Sequence, residues 1–347
     1  MKKRIAVVLF NLGGPDSLNA VQPFLFNLFF DPAIIRIFKP FRWLLALFIS
    51  KKRAPFAKNI YKQLGGKSPI LEFTRKQAKA LQEKLELSGN FKVFIAMRHW
   101  HPMTEQTLIE VGFYNPDEVI LLPLYPQFSS TTSGSSFKKW DQSAKKLSLE
   151  FVTKKICCYP KSQGWINAQI DLIKLELKKS DKKIPLRFLF SAHGLPEKII
   201  SQGDPYQSQV EQTVSQIVKT LDIQNLDWLI CYQSRVGPLE WIKPSTESAL
   251  QEAANDGVGV IIIPVAFVSE HSETLVELDI EYKTFASKIG ITAYYRVPTV
   301  SDHPKFINCL SQMVINAVQG NDLALFNDNN NKRRCELKFT DCLQNFD

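Results

Sequence analysis

The segments RIAVVLFNLGGP (residues 4–15) and LRFLFSAHGLP (residues 186–196) decide the predicted fold. Each is apolar almost throughout and then breaks at a glycine that is soon followed by a proline. Runs without hydrophobic alternation are typical of strands covered on both faces, as in a parallel sheet with helices on either side. We therefore predict that each segment is a strand of such a sheet, and that it ends near Gly13 or Gly194.

Four further apolar runs alternate with longer amphipathic segments along the chain. The six predicted strands cover residues 5–10, 93–97, 119–124, 186–190, 228–232 and 258–265. Helical periodicity is clear in the intervening residues 74–87 and 210–221. Strands that alternate with helices predict the α/β class, with parallel sheets flanked by helices.

The strand ends of the two halves of the chain resemble one another. FIAMRHWHP (94–102) is similar to LICYQSRVGP (229–238), and VILLPLYPQFS (119–129) is similar to VIIIPVAFVSE (260–270). The offsets between the pairs differ, which excludes a tandem repeat. The pattern instead predicts two similarly built α/β domains.

We place these domains at residues 1–160 and 161–320, and we predict that residues 321–347 form a polar, disordered tail. In open α/β sheets, ligands bind beyond the carboxyl ends of the strands. The unusual polar residues of this chain follow strands, so we expect the functional cleft to lie between the two domains.

The overall composition is that of a globular protein, with 347 residues, 45% of them hydrophobic and 22% charged. A net charge of +9 favours an anionic partner, such as an acidic ligand or an anionic membrane. The chain has no basic stretch with interleaved aromatic residues, so nucleic-acid binding is not predicted. No glycine-rich phosphate loop follows a predicted strand, so a nucleotide site is not predicted either. Six sparse cysteines and no secretory signal predict a cytoplasmic protein with reduced thiols.

The segment at residues 20–55, which we call the lip, is the most apolar part of the chain, although prolines and charges interrupt it. Its longest purely apolar run, WLLALFI (43–49), is far shorter than the roughly 20 residues of a membrane-spanning helix. The basic residues Lys51, Lys52 and Arg53 follow. This pattern fits a segment on a membrane surface or along an apolar cleft, and it equally fits ordinary core helices.

His193 stands at the end of a predicted strand, directly before Gly194. A lone histidine near apolar residues is more often structural than catalytic. At a strand end in an α/β fold, however, it is well placed to meet a ligand. If the site is apolar, burial disfavours the imidazolium, and we then expect a neutral ring that is ready to accept a proton.

The segment SEHSETLVELDIEY (269–282) is rich in acidic residues. If it is helical, Glu273, Glu277 and Glu281 stack at a spacing where like charges repel by about 0.2–0.5 kcal/mol per pair. One interpretation is a solvated acidic face. The other is a path for cations or protons that begins at His271, because carboxylates and imidazole suit Fe²⁺ and similar divalent ions.

Two further features follow strands and remain open to interpretation. The hydroxyl-rich turn TTSGSS (131–136) suits either an anion site or a flexible loop. Arg98, His99 and Arg235 are candidate partners for carboxylates through charge-assisted hydrogen bonds, although each alone also suits a surface charge.

Six motifs together resemble the ferrochelatase family. In family order they are NLGGPDS, MRHWHP, LPLYPQFSSTTSGSS, FSAHGLPE, CYQSRVGPLEW and PVAFVSEHSETLVELDIEY. The resemblance implies a lyase, protohaem ferro-lyase, which inserts Fe²⁺ into protoporphyrin IX at the last step of haem biosynthesis. It also implies two Rossmann-like chelatase domains with a porphyrin cleft between them.

The resemblance further implies roles for individual residues. His193 and Glu273 match the catalytic histidine and glutamate of the family. Together with His271, Glu277 and Glu281, they match the row of residues assigned to metal or proton traffic. The residues predicted to contact the porphyrin are Leu12, Arg98, His99, Tyr125, Ser130, Arg235 and Trp241.

Porphyrin metallation removes two pyrrole protons while a cation enters, so the site needs both a base and a cation donor. We expect these on opposite faces of the macrocycle, within an apolar wall that bends the ring. Iron is then a substrate, and no permanently bound cofactor is predicted. The tail holds only Cys335 and Cys342, too few for the four ligands of an iron–sulfur cluster.

Two alternatives remain at this stage. A related chelatase would use coproporphyrin or a cobalt-accepting corrinoid precursor, whereas the long lip and the SEHSETL motif favour protoporphyrin. A non-catalytic haem or metal carrier would need no base. Peripheral contact of the lip with the inner membrane surface is a further expectation, and the oligomeric state is left open.

Overall fold

The computed structural model describes residues 3–235, 237, 239–320, 336 and 338–342. These residues divide into two compact units. The first consists of the described residues up to Cys158 together with residues 310–320. The second runs from Tyr159 to Cys309 and includes the described residues beyond 335. We propose that the two units are the predicted domains.

The first unit is built on a four-stranded parallel sheet of order β2–β1–β3–β4. Its elements are β1 (Arg4–Asn11), α1 (Val21–Phe30), α2 (Lys39–Gln63), α3 (Ile70–Glu86), β2 (Asn90–Met97), α4 (Thr104–Tyr114), β3 (Glu118–Pro123), α5 (Ser133–Lys146) and β4 (Thr153–Lys155). The central pairing aligns Val7 of β1 with Val93 of β2 and with Ile120 of β3.

The second unit repeats this arrangement, with a parallel sheet of order β6–β5–β7–β8. Its elements are α6 (Gln163–Lys179), β5 (Leu186–His193), α7 (Glu197–Ser201), α8 (Tyr206–Leu221), β6 (Trp228–Gln233), α9 (Thr246–Asn255), β7 (Gly259–Pro264), a π-helix (Glu273–Tyr282), α10 (Lys283–Lys288) and β8 (Tyr294–Arg296). The last helix, α11 (Pro304–Val318), is divided between the units at Leu310.

The predicted fold class is confirmed, because both sheets are parallel and are flanked by helices. Strands β3 and β7 are buried at every position, as continuous apolar runs require. All six predicted strands occur. The short strands β4 and β8 were not predicted, because their sequences, TKK and YYR, contain no apolar run.

The lip forms α1 and the first part of α2. Phe38, Phe41 and Phe48 are 73%, 66% and 64% exposed, so ordinary core packing does not describe the start of α2. Across the described residues, no helix combines the length and the apolar character needed to cross a membrane.

The predicted disordered tail, including Cys335, lies mostly outside the described residues. Within the described residues 338–342, Thr340 donates a hydrogen bond to the carbonyl oxygen of Gln202, and Asp341 donates one to that of Gly203. Cys342 is buried. These few residues are therefore packed, whereas disorder was predicted for the whole tail.

Candidate active site

His193 is the last residue of β5, and its ring is hydrogen-bonded to Glu273. The Nδ1 atom lies 2.8 Å from Oε2 of Glu273. The hydroxyl of Tyr206 donates to the His193 carbonyl oxygen at 3.0 Å, which fixes the backbone of the strand end. Since the carboxylate engages Nδ1, Nε2 is the ring nitrogen that can accept a proton.

The charges around His193 change the protonation that the sequence predicts. Burial lowers the pKa of the imidazole, but the charge and hydrogen bond of Glu273, with a contribution from Glu277, raise that pKa above its ordinary value. Burial would raise the pKa of Glu273, yet His193 and His271 hold it well below its ordinary range. Burial alone would favour the neutral ring, but the charge of Glu273 outweighs that effect and makes His193 a stronger base than an ordinary imidazole.

Glu277 lies one turn farther along the π-helix and is anchored to the end of β6. It accepts hydrogen bonds from the backbone nitrogen of Ser234 at 2.7 Å, from Oγ of Ser234 at 2.5 Å and from Nε2 of Gln233 at 3.0 Å. Gln233 also donates to the carbonyl oxygen of Glu273 at 2.8 Å. Burial and the charge of Glu273 raise the pKa of Glu277, so its proton is held more tightly than usual.

His271 is buried beside this pair, whereas Glu281 is exposed. Nδ1 of His271 lies 3.1 Å from the carbonyl oxygen of Ser269 and so acts as the donor, because a carbonyl can only accept. Its Nε2 atom lies 3.8 Å from Oε2 of Glu273. The structure thus brings His193, His271, Glu273 and Glu277 together and leaves Glu281 on the surface.

The hydrogen bond between His193 and Glu273 corrects the expectation of a base and a cation donor on opposite faces of a porphyrin. Groups that bracket a planar ring are about 7 Å apart, because each needs about 3.5 Å of van der Waals contact. At 2.8 Å, these two side chains are too close together to bracket such a ring.

The cluster as it stands is a hydrogen-bonded network. In the part of the chain that the structure describes, no group of three or more His, Cys, Asp and Glu side chains is arranged to hold a metal ion. The nitrogen of His193 and the oxygen of Glu273 that would bind a cation bind each other instead.

Gly194 allows the chain after β5 to approach β6 closely. A Cβ atom at this position would lie 3.0 Å from the carbonyl oxygen of Gln233 and 3.3 Å from Cε3 of Trp241. Glycine is therefore required here because the backbone after β5 lies close to Gln233 and Trp241, and not because the backbone makes an unusual turn. Trp241 is buried, and its indole nitrogen has no hydrogen-bond partner among the residues that the structure describes, while Arg235 is exposed.

Three residues of this site were not predicted. Gln233 and Ser234 lie in the CYQSR motif, and their position after a strand could have identified them. Tyr206, at the start of α8, stands in no chemically distinctive pattern, so only the structure shows its contact with His193.

The first unit has its own polar cluster, centred on Arg98. Asp31 is buried at the end of α1, and its Oδ2 atom lies 2.7 Å from a terminal nitrogen of Arg98. Ser135 donates to the same oxygen at 2.5 Å and accepts from Nε of Arg98 at 2.7 Å. Asp31 was not predicted, because in the sequence it only interrupts an apolar segment.

His99 is buried next to this pair, and its Nε2 atom lies 3.9 Å from Oδ2 of Asp31. Burial and the positive charge of Arg98 lower the pKa of His99 well below its ordinary value. The buried hydroxyl of Tyr125 has no hydrogen-bond partner in the described part of the chain, and burial raises its pKa. His99 is thus a neutral residue behind Arg98, not a second cation.

The remaining predicted porphyrin contacts of this unit lie at the carboxyl ends of its strands. Leu12 follows β1, and its carbonyl oxygen accepts a hydrogen bond from the backbone of His99 at 3.0 Å. Ser130 accepts a hydrogen bond from Arg36 of the lip at 3.2 Å. Because Arg98 is already neutralised by Asp31, the anion interpretation of the TTSGSS turn is not favoured.

A protein-family model described as Ferrochelatase matches residues 4–318. The chain belongs to the ferrochelatase family. The predicted resemblance is confirmed over nearly the whole chain, including the motifs that carry both clusters. The family assignment also accounts for the lip, which lies within the matched residues.

Curated ferrochelatases are similar to this chain over most of its length. The chain is 56% identical over 318 residues to the protein of Wolbachia sp. subsp. Drosophila simulans (strain wRi), covering 91% of this chain and 99% of that one. It is 52% identical to the protein of Pelagibacter ubique (strain HTCC1062), covering 91% of each chain. It is 49% identical over 345 residues to the protein of Rickettsia felis, covering 99% and 98%.

Two solved structures share the fold. SirB from Bacillus subtilis with Fe³⁺ gives a TM-score of 0.51 at 13% identity, covering 94% of this chain and 100% of that one. The sirohydrochlorin chelatase SirB from Bacillus subtilis subspecies spizizenii, in complex with cobalt, gives 0.50 at 12% identity, covering 92% and 97%. At such low identity the likeness shows the fold alone.

Proposed function

We propose that this ferrochelatase-family chain inserts Fe²⁺ into protoporphyrin IX to give protohaem and two protons, the last step of haem biosynthesis. The observation that carries the proposal is the pair of His193 and Glu273. A carboxylate that raises the pKa of an imidazole makes it a base, and it stabilises the imidazolium that forms when a pyrrole proton is taken up.

Iron enters this reaction as a substrate. Glu273 and His271 present an oxygen and a nitrogen ligand beside the base, and Glu277 adds a second carboxylate. Such donors suit Fe²⁺. Proton uptake makes His193 an imidazolium, which binds Glu273 more strongly, whereas a cation would compete with His193 for the same carboxylate oxygen. We therefore propose that metal entry and deprotonation are coupled through Glu273.

We propose that the porphyrin contacts Leu12, Arg98, Tyr125 and Ser130 in the first unit. In the second unit we propose contacts with Arg235 and Trp241. Trp241 offers a large ring next to the strand that carries His193, and aromatic side chains stack well on planar ligands. Arg235 is exposed and so can pair with a carboxylate of the substrate. His99 is proposed to act from behind, by packing against Arg98.

The test is an anaerobic assay with the purified full chain and Fe²⁺, in which protoporphyrin IX and coproporphyrin are supplied separately. Loss of porphyrin fluorescence and the mass of the product report metal insertion. Faster insertion into coproporphyrin would overturn the substrate assignment. Stoichiometric porphyrin binding without insertion of iron would instead support a haem or metal carrier.

We also propose that the chain works in the cytoplasm, with the start of α2 resting on the inner membrane surface. Phe38, directly before α2, and Phe41 and Phe48 within it are exposed, and Lys51 and Lys52 follow in α2. Apolar side chains beside basic ones suit an anionic lipid surface.

Co-sedimentation with anionic vesicles tests this contact. The Phe41→Ser variant should lose vesicle binding. Phe113→Ser, which removes an 87% exposed phenylalanine of α4, is the matched control. Equal binding by both variants would exclude the lip as the contact.

Finally, we propose that the chain carries no iron–sulfur cluster. Cys342 is buried, and Cys335 is the only other thiol near the carboxyl terminus, so two of the four ligands would have to come from elsewhere. Chemical iron and sulfide analysis of anaerobically purified protein tests this, and stoichiometric sulfide would overturn it.

A further inference from the structure

The short edge strand β8 reaches the π-helix with two of its three side chains. Tyr294 donates its hydroxyl hydrogen to the carbonyl oxygen of Leu278 at 2.6 Å. Arg296 binds Asp279 through both carboxylate oxygens, with Nε 2.8 Å from Oδ1 and a terminal nitrogen 2.6 Å from Oδ2. The π-helix is therefore tied to the sheet edge through both its backbone and a side chain.

The same guanidinium also holds the chain just before the π-helix. The other terminal nitrogen of Arg296 lies 2.6 Å from Oε1 of Glu270. That oxygen also accepts a hydrogen bond from the backbone nitrogen of Thr299 at 2.9 Å. Arg296 thus joins the residue that precedes His271 to Asp279, which follows Glu277.

We call the contacts of Arg296 with Glu270 and Asp279 the clamp, and this clamp is rigid for two reasons. A guanidinium that binds a carboxylate through two parallel hydrogen bonds fixes its orientation as well as its distance. The side chains of Arg296 and Glu270 keep only 12% and 8% of their surface exposed, so separating them would leave a buried charge unpaired. The segment between the two carboxylates cannot shift without breaking one of these pairs.

The π-helix is a rare geometry that is frequently found at functional sites, so the contacts that hold it in place bear on the site. We propose that Arg296 and Tyr294 are positioning residues, which hold the π-helix so that Glu273 and Glu277 stay in place beside His193 and Ser234. This inference rests on the proposed function for its kinetic consequences, since Glu273 and Glu277 are the proposed iron ligands.

The first test compares Arg296→Lys with Arg187→Lys. Lysine keeps the charge but cannot bind a carboxylate through two parallel bonds. Arg187 is a matched control, because it lies in the same unit, is also 12% exposed and binds Asp227 and Asp256, away from the π-helix. The second test compares Tyr294→Phe with Tyr295→Phe, since the Tyr295 hydroxyl accepts from the backbone of Asp181 instead.

Two readouts separate positioning from general stability. We expect Arg296→Lys to raise the KM for Fe²⁺ or lower kcat by about tenfold or more, with the Kd for porphyrin changed by less than about twofold, because small misplacements of reacting groups are costly. Tyr294→Phe should act in the same direction, but less strongly. Arg187→Lys and Tyr295→Phe should leave both constants unchanged.

The second readout, hydrogen exchange of the amides at residues 273–282, does not depend on activity. In Arg296→Lys these amides should exchange about tenfold faster than in wild type or in Arg187→Lys, because their local opening becomes easier. Unchanged exchange, or equal loss of iron and porphyrin affinity, would overturn the positioning role. If wild type inserts no iron, the proposed function fails, while the exchange measurement still decides whether the clamp holds the π-helix.

Discussion

Nδ1 of His193 lies 2.8 Å from Oε2 of Glu273, so base and carboxylate form one hydrogen-bonded unit. The pair fixes which nitrogen of the imidazole accepts a proton, and it raises the pKa of the ring. It also means that a cation bound by Glu273 competes with His193 for the same oxygen. Proton removal and metal entry are therefore expected to influence one another.

Replacement of the base tests its role directly. His193→Ala should lower the rate of iron insertion by about 10²–10⁴-fold, as expected for loss of a general base, while porphyrin still binds. Fluorescence titration gives the porphyrin Kd, and a steady-state assay gives the rate. His303→Ala removes a histidine that is paired with Asp171 instead and should leave the rate unchanged. Normal turnover by His193→Ala would show that another group takes the protons.

Neutralising the carboxylate should change the pH dependence as well as the rate. Glu273→Gln removes the charge that raises the pKa of His193, so the acidic limb of the rate profile should move to lower pH. The rate should fall by about 10²-fold or more, with little effect on porphyrin affinity. Rates of iron insertion across the pH range check both effects. Glu211→Gln, on the exposed face of α8, is the control, and a profile identical to wild type would contradict the pairing.

The buried pair in the first unit should matter for stability and for porphyrin affinity. Asp31→Asn leaves the guanidinium of Arg98 without its charge partner, which costs about 3 kcal/mol when a buried pair is broken. Denaturant unfolding measures the loss, and porphyrin titration should show a weaker Kd while the KM for Fe²⁺ stays the same. The control is Asp117→Asn, because the carboxylate of Asp117 accepts an exposed hydrogen bond from the backbone nitrogen of Arg4. Equal stability of both variants would indicate that the pair is dispensable.

The depressed pKa of His99 predicts a loss of stability in acid. The folded protein keeps this ring neutral, whereas the unfolded chain binds a proton below its ordinary pKa of about 6.5. Below that pH, unfolding therefore takes up a proton, and the free energy of unfolding should fall by up to about 1.4 kcal/mol per pH unit until the folded pKa is reached. His99→Gln should remove this part of the pH dependence, as measured by denaturant unfolding between pH 7 and 5. An unchanged dependence would assign the effect to other groups.

The fold was predictable because the information is local. Each buried strand is a continuous apolar run. Gly13 and Gly194 mark where the first strand of each half ends. The strands β4 and β8 were not predicted, because an edge strand of three residues is defined by its pairing with the neighbouring strand and not by its own sequence. The start of α2 was ambiguous for a related reason, since an exposed apolar helix and a buried one have the same composition.

The site was predictable in its members but not in its geometry. His193, His271, Glu273 and Glu277 were identified, yet their contact could not be, because distances between side chains depend on how β5 and the π-helix pack. The raised pKa of His193 could not be predicted for the same reason, since burial was visible in the sequence and the charge of Glu273 beside it was not.

Gly194 has a consequence for how this enzyme can vary. A single added methyl group would press on the carbonyl oxygen of Gln233, whose side chain holds Glu273 and Glu277. Even alanine, the smallest change open to this position, would therefore require the strand that carries His193 or the strand that anchors Glu277 to shift by a few tenths of an ångström. We therefore expect selection to retain glycine at this position, although the residue itself performs no chemistry.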